Sequence, residues 1–524
     1  MALQFVRPLD MYARYCVASS VINHYKNFLI AHKIQLNPTE QTKLGGPNYP
    51  SWKSPYEWAQ LLLYPMAYLL NQHPSLTVTI GDHLGNIPVY LRLKYIDLHR
   101  LIRVAPIKTS TEIGRVIEQE HNISFNFSDN TSPLWRLVVA PIEDDESSFY
   151  LIFSFHHAIC DGRSAAALTE QLIGQLNSKP RQPENTPFSS PYGTTRISIT
   201  SNKPIPAPME DRFQLRLSVC TLVKEVAKQF PVPGFVRRAF ETKYWAGDID
   251  VSPEAPNETE LCLLQLTTQE TSRVVQASRR HSTTVQAILY AASVFATKSV
   301  FMSNAEDRNS AEETITFGTM ISLRDRVPEP ISPTDQGNYI AIMPHDGIYI
   351  REKSSFWSTA SDYRKEIFET ISTPQKVRSL MKDLGMMRCL PKKAGAWEKA
   401  IKSPRMQHGR SMTIIMSNLG RVLSQSQNNQ SSVSGEAPQY LVDDTIMSQS
   451  PFVNASAFLI SAATTNGKMT ISTAWQKAAF KERARGDLFA SEFKRILLEA
   501  VDDGAETYLF EDAKRTYDST VTLV

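Results

Sequence analysis

The stretch that most constrains the fold is a pair of apolar runs followed by a polar loop and a helix. Trp135–Pro141 and Phe149–Phe155 are too short to be buried helices, and the acidic, serine-rich segment 143–148 separates them. Short apolar runs on either side of a polar turn indicate two buried strands in a hairpin. Beyond the loop, apolar residues recur at helical spacing as Ala165, Leu168, Leu172 and Leu176. The sequence therefore predicts strand, turn, strand, loop and helix in that order.

The loop itself carries the chemistry, because it reads His156-His157-Ala158-Ile159-Cys160-Asp161-Gly162. Histidine is the side chain whose ordinary pKa lies nearest neutrality, so His157 can take a proton from an acceptor and return it. Asp161 can hold the backbone of the turn or orient the ring through a cationic partner. Gly162 permits a sharp bend or a positive φ. We interpret His157 as the catalytic candidate and His156 as a supporting neighbour.

The same residues allow three other interpretations. A metal site is disfavoured, because no further His or Cys cluster at ligand spacing occurs, and we predict no metal. A serine hydrolase is disfavoured because no G-x-S-x-G elbow is present. A purely structural role is plausible for His156 or Asp161 taken singly. It is implausible for both histidines and the aspartate together, since buried polar groups are rarely without a purpose.

The loop matches the HHxxxDG signature of the chloramphenicol-acetyltransferase-like superfamily, which includes plant acyltransferases, peptide-synthetase condensation domains and fungal alcohol acetyltransferases. Trp135–Pro141 resembles the Trp-Arg-Leu strand of the alcohol acetyltransferases in particular. Ile321–Arg326 and Gly337–Tyr339 resemble the arginine strand and the Gly-Asn element that follows it. Ser417–Gly420 resembles the late Ser-Asn-x-Gly strand. These elements occur in the family's order, and the first of them is the specific one.

The resemblance implies an α/β (α+β) fold with two chloramphenicol-acetyltransferase-like lobes, mixed sheets flanked by helices, and an active-site tunnel between the lobes. It implies direct acyl transfer without an acyl-enzyme, with His157 as general base. It also implies that Asp161 turns away from the tunnel and pairs with Arg324, so that both support the loop together with His156 and Gly162. The predicted oxyanion or tunnel residues are Ser417, Asn418 and Asn338.

The same resemblance implies an acyl-CoA-dependent alcohol O-acetyltransferase in ester biosynthesis, with acetyl-CoA as co-substrate and no bound cofactor. An amine acceptor is a close alternative, because His157 could serve it equally well. A non-catalytic scaffold of the same fold is a third, although a scaffold has no need of a base at a strand end. The Asp-Phe-Gly-Trp-Gly element of the plant branch is absent, which argues against a hydroxycinnamoyl transferase.

The length of 524 residues is too great for one ordinary core and indicates either two domains or one bilobed unit. Segment 178–208 is dense in proline, which sustains neither a helix interior nor a central strand. We therefore predict an N-terminal lobe over 1–177, a crossover linker over 178–208 and a C-terminal lobe over 209–524. A polar stretch, 424–434, is predicted to be a flexible loop.

Composition excludes several classes of function. A net charge of +3 without a basic cluster argues against nucleic-acid binding. Five scattered cysteines indicate neither a disulfide framework nor a metal site, so we expect a reducing, cytoplasmic compartment. We also expect the protein to be a monomer. No signal pattern or long apolar span is visible. Peripheral contact with the endoplasmic reticulum or a lipid droplet stays open through segments 52–70 and 488–501, although docking on the core is favoured for both.

Overall fold

The structure is a computed structural model. It describes residues 3–37, 54–178, 195–213, 244–251, 257–302, 314–327, 329–381, 390, 392–402, 409–423, 438–502 and 506–521. The predicted loop at 424–434 lies outside the described residues.

The first part of the chain contains six helices and nine strands among the described residues. The helices are α1 (Met11–Val21), α2 (Pro55–Leu61), α3 (Leu63–Gln72), α4 (Ile113–His121), α5 (Gly162–Asn177) and α6 (Met209–Arg212). The strands are β1 (Gln4–Pro8), β2 (Phe28–Leu36), β3 (Val78–Gly81), β4 (Val89–Arg92), β5 (Tyr95–Asp97), β6 (Ile102–Val104), β7 (Trp135–Pro141), β8 (Ser148–Phe155) and β9 (Arg196–Ser198).

The described residues after α6 contribute seven helices and seven strands. The helices are α7 (Thr268–Arg280), α8 (Val285–Phe301), α9 (Phe356–Ser372), α10 (Pro374–Leu380), α11 (Ala396–Lys402), α12 (Arg483–Ala500) and α13 (Phe510–Val521). The strands are β10 (Thr259–Leu266), β11 (Ile315–Ser322), β12 (Ile340–Ile348), β13 (Met412–Arg421), β14 (Tyr440–Gln449), β15 (Ser456–Thr465) and β16 (Lys468–Gln476).

The predicted hairpin is confirmed as β7 and β8, which pair antiparallel from Trp135 opposite Phe155 to Pro141 opposite Phe149. Every residue of β8 is buried, which explains the continuous apolar run. Burying a large apolar side chain contributes about 1.5–3 kcal/mol. The hairpin is therefore a rigid base for the loop that follows it.

A five-stranded mixed sheet surrounds this hairpin in the order β14-β2-β8-β7-β6. β14 comes from the predicted C-terminal lobe yet pairs antiparallel with β2 of the predicted N-terminal lobe. The sheet is thus completed by a strand from far along the chain. The lobe boundaries at 177 and 208 stay a sequence prediction, and residues 179–194 of the predicted linker lie outside the described residues.

A six-stranded mixed sheet occupies the later part of the chain in the order β10-β16-β15-β13-β11-β12. Strands β15 and β16 of this sheet pair antiparallel. A hydrophobic cluster that includes Phe295, Phe317 and Phe458 packs helices α8, α9 and α12 against this sheet. Two mixed sheets flanked by helices confirm the predicted fold class.

The described residues of the two segments that could make peripheral membrane contact are packed on the core. Trp58, Met66 and Leu69 of the first segment are at most 2% exposed, and Phe489 and Phe493 of the second are fully buried. Within the described residues no single helix has both the length and the apolarity to cross a membrane. Helices α7 and α8 meet that test only as a joined pair, and they are bent by 103° at their junction.

Candidate active site

The HHxxxDG loop runs from the end of β8 to the start of α5, as predicted. His156 N donates to Leu134 O at 2.9 Å, which prolongs the sheet pairing by one residue. Asp161 is the N-cap of α5, and its Oδ1 accepts from Ser164 N at 2.8 Å. Asp is a strongly preferred N-cap because its carboxylate satisfies an otherwise unpaired helix N–H. The loop is therefore anchored at both ends.

The His157 ring is held by Asn338, which comes from the segment just before β12. His157 Nδ1 lies 2.9 Å from Asn338 Oδ1, and Asn338 Nδ2 donates to His157 O at 2.7 Å. The second bond fixes the orientation of the amide, so Oδ1 must accept and Nδ1 must carry the proton. Nε2 then keeps its lone pair. A general base requires this tautomer, in which the proton is on Nδ1.

The pocket around His157 keeps the ring neutral. His157 is 4% exposed, and the rings of Tyr12 and Phe28 lie 5.4 Å and 4.6 Å from it, centroid to centroid. Burial lowers the pKa of His157 below 6.5, although the hydrogen bond to Asn338 and the charge of Asp161 oppose that shift. At neutral pH the imidazole is therefore unprotonated and able to accept a proton.

His156 has the opposite tautomer and faces away from any open space. Its Nδ1 accepts from Ala158 N at 3.1 Å, so its Nε2 donates to Ser20 Oγ at 2.9 Å. The side chain is fully buried, and the rings of Phe125 and Phe127 meet it edge-on. Burial, together with the neighbouring His157 and Arg136, lowers the pKa of His156 to about 3. With both ring nitrogens engaged, His156 shapes the loop.

Asp161 and Arg324 form the predicted ion pair. Arg324 Nη1 lies 2.7 Å from Asp161 Oδ2, and the two side chains are 4% and 0% exposed. Tyr339 N also donates to Asp161 Oδ2 at 3.0 Å. Burial by itself raises the pKa of Asp161, but the Arg324 charge and these hydrogen bonds outweigh it and leave the pKa below 3.8. The carboxylate is thus ionised and fully bonded.

Ser164 joins the same network from the first turn of α5. Its Oγ accepts from Arg324 Nη2 at 2.7 Å and lies 3.1 Å from Gly337 O, and Asp161 N donates to that carbonyl at 3.0 Å. The segment 335–339 is therefore clamped against the N-terminus of α5. This clamp is what brings Asn338 to His157, although the two residues are 181 positions apart.

Gly162 requires a correction to the sequence-based prediction. Its φ is not positive, so the positive-φ part of that prediction is wrong. Instead, a Cβ at this position would lie 2.9 Å from Met447 Cε and 3.3 Å from Leu419 Cδ2. Glycine lets the first turn of α5 pack closely against β13 and β14. The absence of a side chain at Gly162 thus sets how closely α5 approaches β13 and β14.

Ser417 and Asn418 lie on β13, where they pair with Ser461 and Ala462 of β15. Asn418 Oδ1 accepts from Gly420 N at 2.8 Å, which stabilises the positive φ of Gly420. No hydrogen bond among the described residues joins either side chain to the HHxxxDG loop. Their oxyanion role stays a prediction, whereas the third candidate, Asn338, has its amide bonded to His157 at both ends.

The sequence analysis missed several residues of the site. Tyr12, Ser20 and Ser164 were not singled out, although each contacts the loop or its ion pair. For Ser164, a local signal was available in the sequence, because it lies three residues after an aspartate that caps a predicted helix. For the others no local pattern exists, because they reach the loop from distant parts of the chain.

The described residues contain no cluster of three or more His, Cys, Asp or Glu side chains that could hold a metal ion. A second arrangement, in which Thr319 Oγ1, His345 and Glu366 are linked by hydrogen bonds of 3.1 Å and 2.7 Å, resembles a triad. Thr319 is only 3% exposed, and its hydroxyl is also bonded to Tyr363. This hydroxyl is therefore unsuited to act as a nucleophile.

Replacing Asn338 tests the proposed orientation of the base. Asn338→Ala is expected to lower kcat/KM about 10²-fold, because a misplaced base loses near-attack geometry. It should also move the acid limb of the pH–rate profile to lower pH, since the lost hydrogen bond supports the imidazolium. Asn338→Asp adds a negative charge and should move that limb to higher pH. Equal acid limbs in both variants would contradict the assignment.

Buried neutral histidines predict loss of stability in acid. Burial is the chief cause that lowers the pKa values of His32, His121 and His156 to about 3 each. Below about pH 6.5 the unfolded chain binds protons that the folded chain does not, so each residue costs about 1.4 kcal/mol of unfolding free energy per pH unit. This stability is complete above about pH 6.5 and declines as the pH falls toward 3.

Urea unfolding between about pH 7.5 and about pH 5 measures this decline. His32→Gln should make the decline shallower. The exposed His99→Gln is the matched control and should leave the slope as it is. A free energy of unfolding that does not change over this range would contradict the prediction.

A family model described as alcohol acetyltransferase matches residues 108–497, which contain the hairpin, the HHxxxDG loop, Arg324, Asn338 and β13. The chain belongs to the alcohol acetyltransferase family. It is thus a member of an acyltransferase family, and the site described above lies within the matched region.

A curated relative, the probable alcohol acetyltransferase crmB of Aspergillus fumigatus, is 30% identical over 120 residues. The match covers 21% of this family member and 26% of the length of that relative.

Solved structures show the same fold at low sequence identity. The trichothecene 15-O-acetyltransferase TRI3 of Fusarium sporotrichioides matches with a TM-score of 0.64 and 12% identity, covering 94% of each chain. The condensation domain of the monacolin K polyketide synthase MokA matches with a TM-score of 0.55 and 10% identity, covering 97% of this chain and 100% of that one. Polyketide synthase associated protein 5 of Mycobacterium tuberculosis has a TM-score of 0.51 at 14% identity, covering 96% and 100%.

Proposed function

We propose that the protein is an acyl-CoA-dependent O-acyltransferase that transfers acetyl from acetyl-CoA to an alcohol. The observation that carries the proposal is the His157–Asn338 pair, which fixes the tautomer with a basic Nε2. Family membership and the fold shared with an acetyltransferase support the same reaction class.

The mechanism uses one base and no acyl-enzyme. His157 Nε2 removes the proton of the acceptor hydroxyl while the hydroxyl oxygen attacks the thioester carbonyl. The tetrahedral intermediate collapses by breaking the carbon–sulfur bond, and the departing CoA sulfur receives the proton from Nε2. The imidazole is neutral again at the end. Ser417 or Asn418 is proposed to donate a hydrogen bond to the oxyanion, a contribution of about 2.7–4 kcal/mol per donor in other acyl-transfer enzymes.

Two other functions give different observable results. An amine acceptor is largely protonated near neutral pH, since ammonium groups lose a proton near pH 10. Its acetylation rate would therefore keep rising above neutrality, whereas the rate with an alcohol would level off once His157 is neutral. A scaffold would release no CoA with any acceptor.

A thiol-release assay with acetyl-CoA and a panel of alcohols and amines distinguishes these functions. CoA release with alcohols that levels off near neutral pH supports the proposal. Release with amines alone would favour the N-acetyltransferase, and no release with either class would favour the scaffold. Longer acyl-CoA donors in the same assay test whether acetyl is the preferred acyl group.

A further inference from the structure

A cavity of about 20 Å³ adjoins the HHxxxDG loop and is lined in part by Ala158 and Asn338. Tyr12 lines this cavity, and its ring meets the ring of His157 edge-on at 5.4 Å between centroids. Tyr90, also in the wall, donates to Ala158 O at 2.6 Å. A cavity needs roughly 10–15 Å³ to hold one water-sized group. This loop cavity can therefore hold one small polar group beside the neighbours of the base.

Three side chains in the wall of the loop cavity have a buried polar atom without a hydrogen-bond partner among the described residues: Ser75 Oγ, Gln336 Oε1 and Arg7 Nε. Ser75 and Gln336 are each 2% exposed. Gln336 Nε2 donates to Thr334 O at 2.8 Å, which fixes the amide and identifies Oε1 as its unused acceptor. Unpaired buried polar atoms are rare because they lose their hydrogen bonds to water. These three atoms are therefore candidate hydrogen-bond partners for a group bound in the cavity.

The wall contains one cationic side chain, Arg7, and two acidic ones, Asp10 and Glu210, and Arg7 is paired with Asp10. Arg7 Nη2 lies 3.3 Å from Asp10 Oδ2. Glu210 Oε1 accepts from Met11 N at 2.8 Å, and burial together with the charge of Asp10 raises the pKa of Glu210 above 4.5. A phosphate would meet these carboxylates unfavourably, and an ammonium would meet Arg7.

The unpaired atoms match the hydrogen bonding of a hydroxyl group. Arg7 Nε donates, Gln336 Oε1 accepts, and Ser75 Oγ can do either. A hydroxyl accepts one hydrogen bond and donates another, whereas a carbonyl cannot serve Gln336 and an ammonium cannot serve Arg7. We propose that the loop cavity binds a second hydroxyl of the acceptor, so that the preferred acceptor is a diol or polyol of which His157 activates one hydroxyl. This inference rests on the proposed acyl transfer.

Cyclohexanol and its 1,2-, 1,3- and 1,4-diols test the proposal, because they share one carbon frame. We expect the wild type to favour at least one diol over cyclohexanol by about tenfold in kcat/KM, as one or two added neutral hydrogen bonds would give. Ser75→Ala and Gln336→Met should each reduce that preference about fivefold, mainly through KM. Ser299→Ala is the matched control, because Ser299 Oγ is also buried and unpaired but lies on α8 away from the cavity.

The possible results of this assay either support or overturn the hydroxyl site. If CoA is released but the wild type shows no diol preference, or if Ser299→Ala reduces the preference as much as Ser75→Ala, the cavity holds a water only and the inference is overturned. If no acceptor releases CoA, the proposed function fails. The shift in Tm that a diol causes then shows whether the cavity binds a hydroxyl group. A diol that raises Tm in the wild type but not in Gln336→Met would support the hydroxyl site. The absence of any shift in Tm would overturn it.

Discussion

Replacing His157 by alanine is expected to lower kcat/KM for acetyl transfer by about two to four orders of magnitude. The variant loses the neutral Nε2 that takes the acceptor proton, while the Asp161–Arg324 pair stays in place. Steady-state CoA release over a range of acceptor concentrations measures the loss. It should fall mainly on kcat, because proton transfer belongs to the transition state.

Two controls separate this effect from misfolding. His99→Ala changes an exposed histidine and should leave turnover as it is. His156→Ala should cost less turnover than His157→Ala but more thermal stability, since His156 is fully buried and bonded at both ring nitrogens. If His157→Ala kept turnover within a factor of about two, the general-base mechanism would be wrong.

Asp161→Asn is expected to destabilise the protein by about 3–5 kcal/mol and to lower turnover as well. The substitution leaves the Arg324 guanidinium buried opposite a neutral amide, whose N–H₂ group meets another donor. The carboxylate also holds Ser164 N and Tyr339 N, so the clamp on segment 335–339 weakens with it. Denaturant unfolding at neutral pH measures the loss, because the ionised carboxylate contributes fully there.

The exposed pair of Arg483 and Asp487 provides a matched control, with side chains 44% and 47% exposed. Asp487→Asn should change the unfolding free energy by less than about 1 kcal/mol, since solvent screens such pairs. A fall in the activity of Asp161→Asn with full retention of thermal stability would contradict the structural role of Asp161.

Much of the local architecture was predictable from the sequence. The hairpin, the loop and α5 follow one another within about forty residues, and their apolar runs, turn and N-cap are local signals. The ion pair between Asp161 and Arg324 was predicted only through the family resemblance. No periodicity or spacing connects two residues that lie 163 positions apart.

Other parts of the site depend on long-range packing that local patterns do not encode. Gly162 was predicted to permit a sharp bend or a positive φ, but its φ is not positive, and its position is packed closely against Met447 and Leu419 from distant strands. β14 completes the first sheet from the predicted second lobe. The loop cavity likewise draws its wall from Arg7, Ser75 and Gln336. Each depends on how separate segments meet in space.

The sequence by itself determined which residue types make up the candidate site and that they lie where a buried strand ends. Local hydrogen bonding and burial patterns suffice for that. Only the tertiary structure decided which nitrogen of each histidine is basic, because a tautomer depends on the partner that the ring meets. Asn338 assigns the proton of His157 to Nδ1, and the Ala158 N–H assigns that of His156 to Nε2. Two adjacent histidines thus differ in function because their neighbours differ.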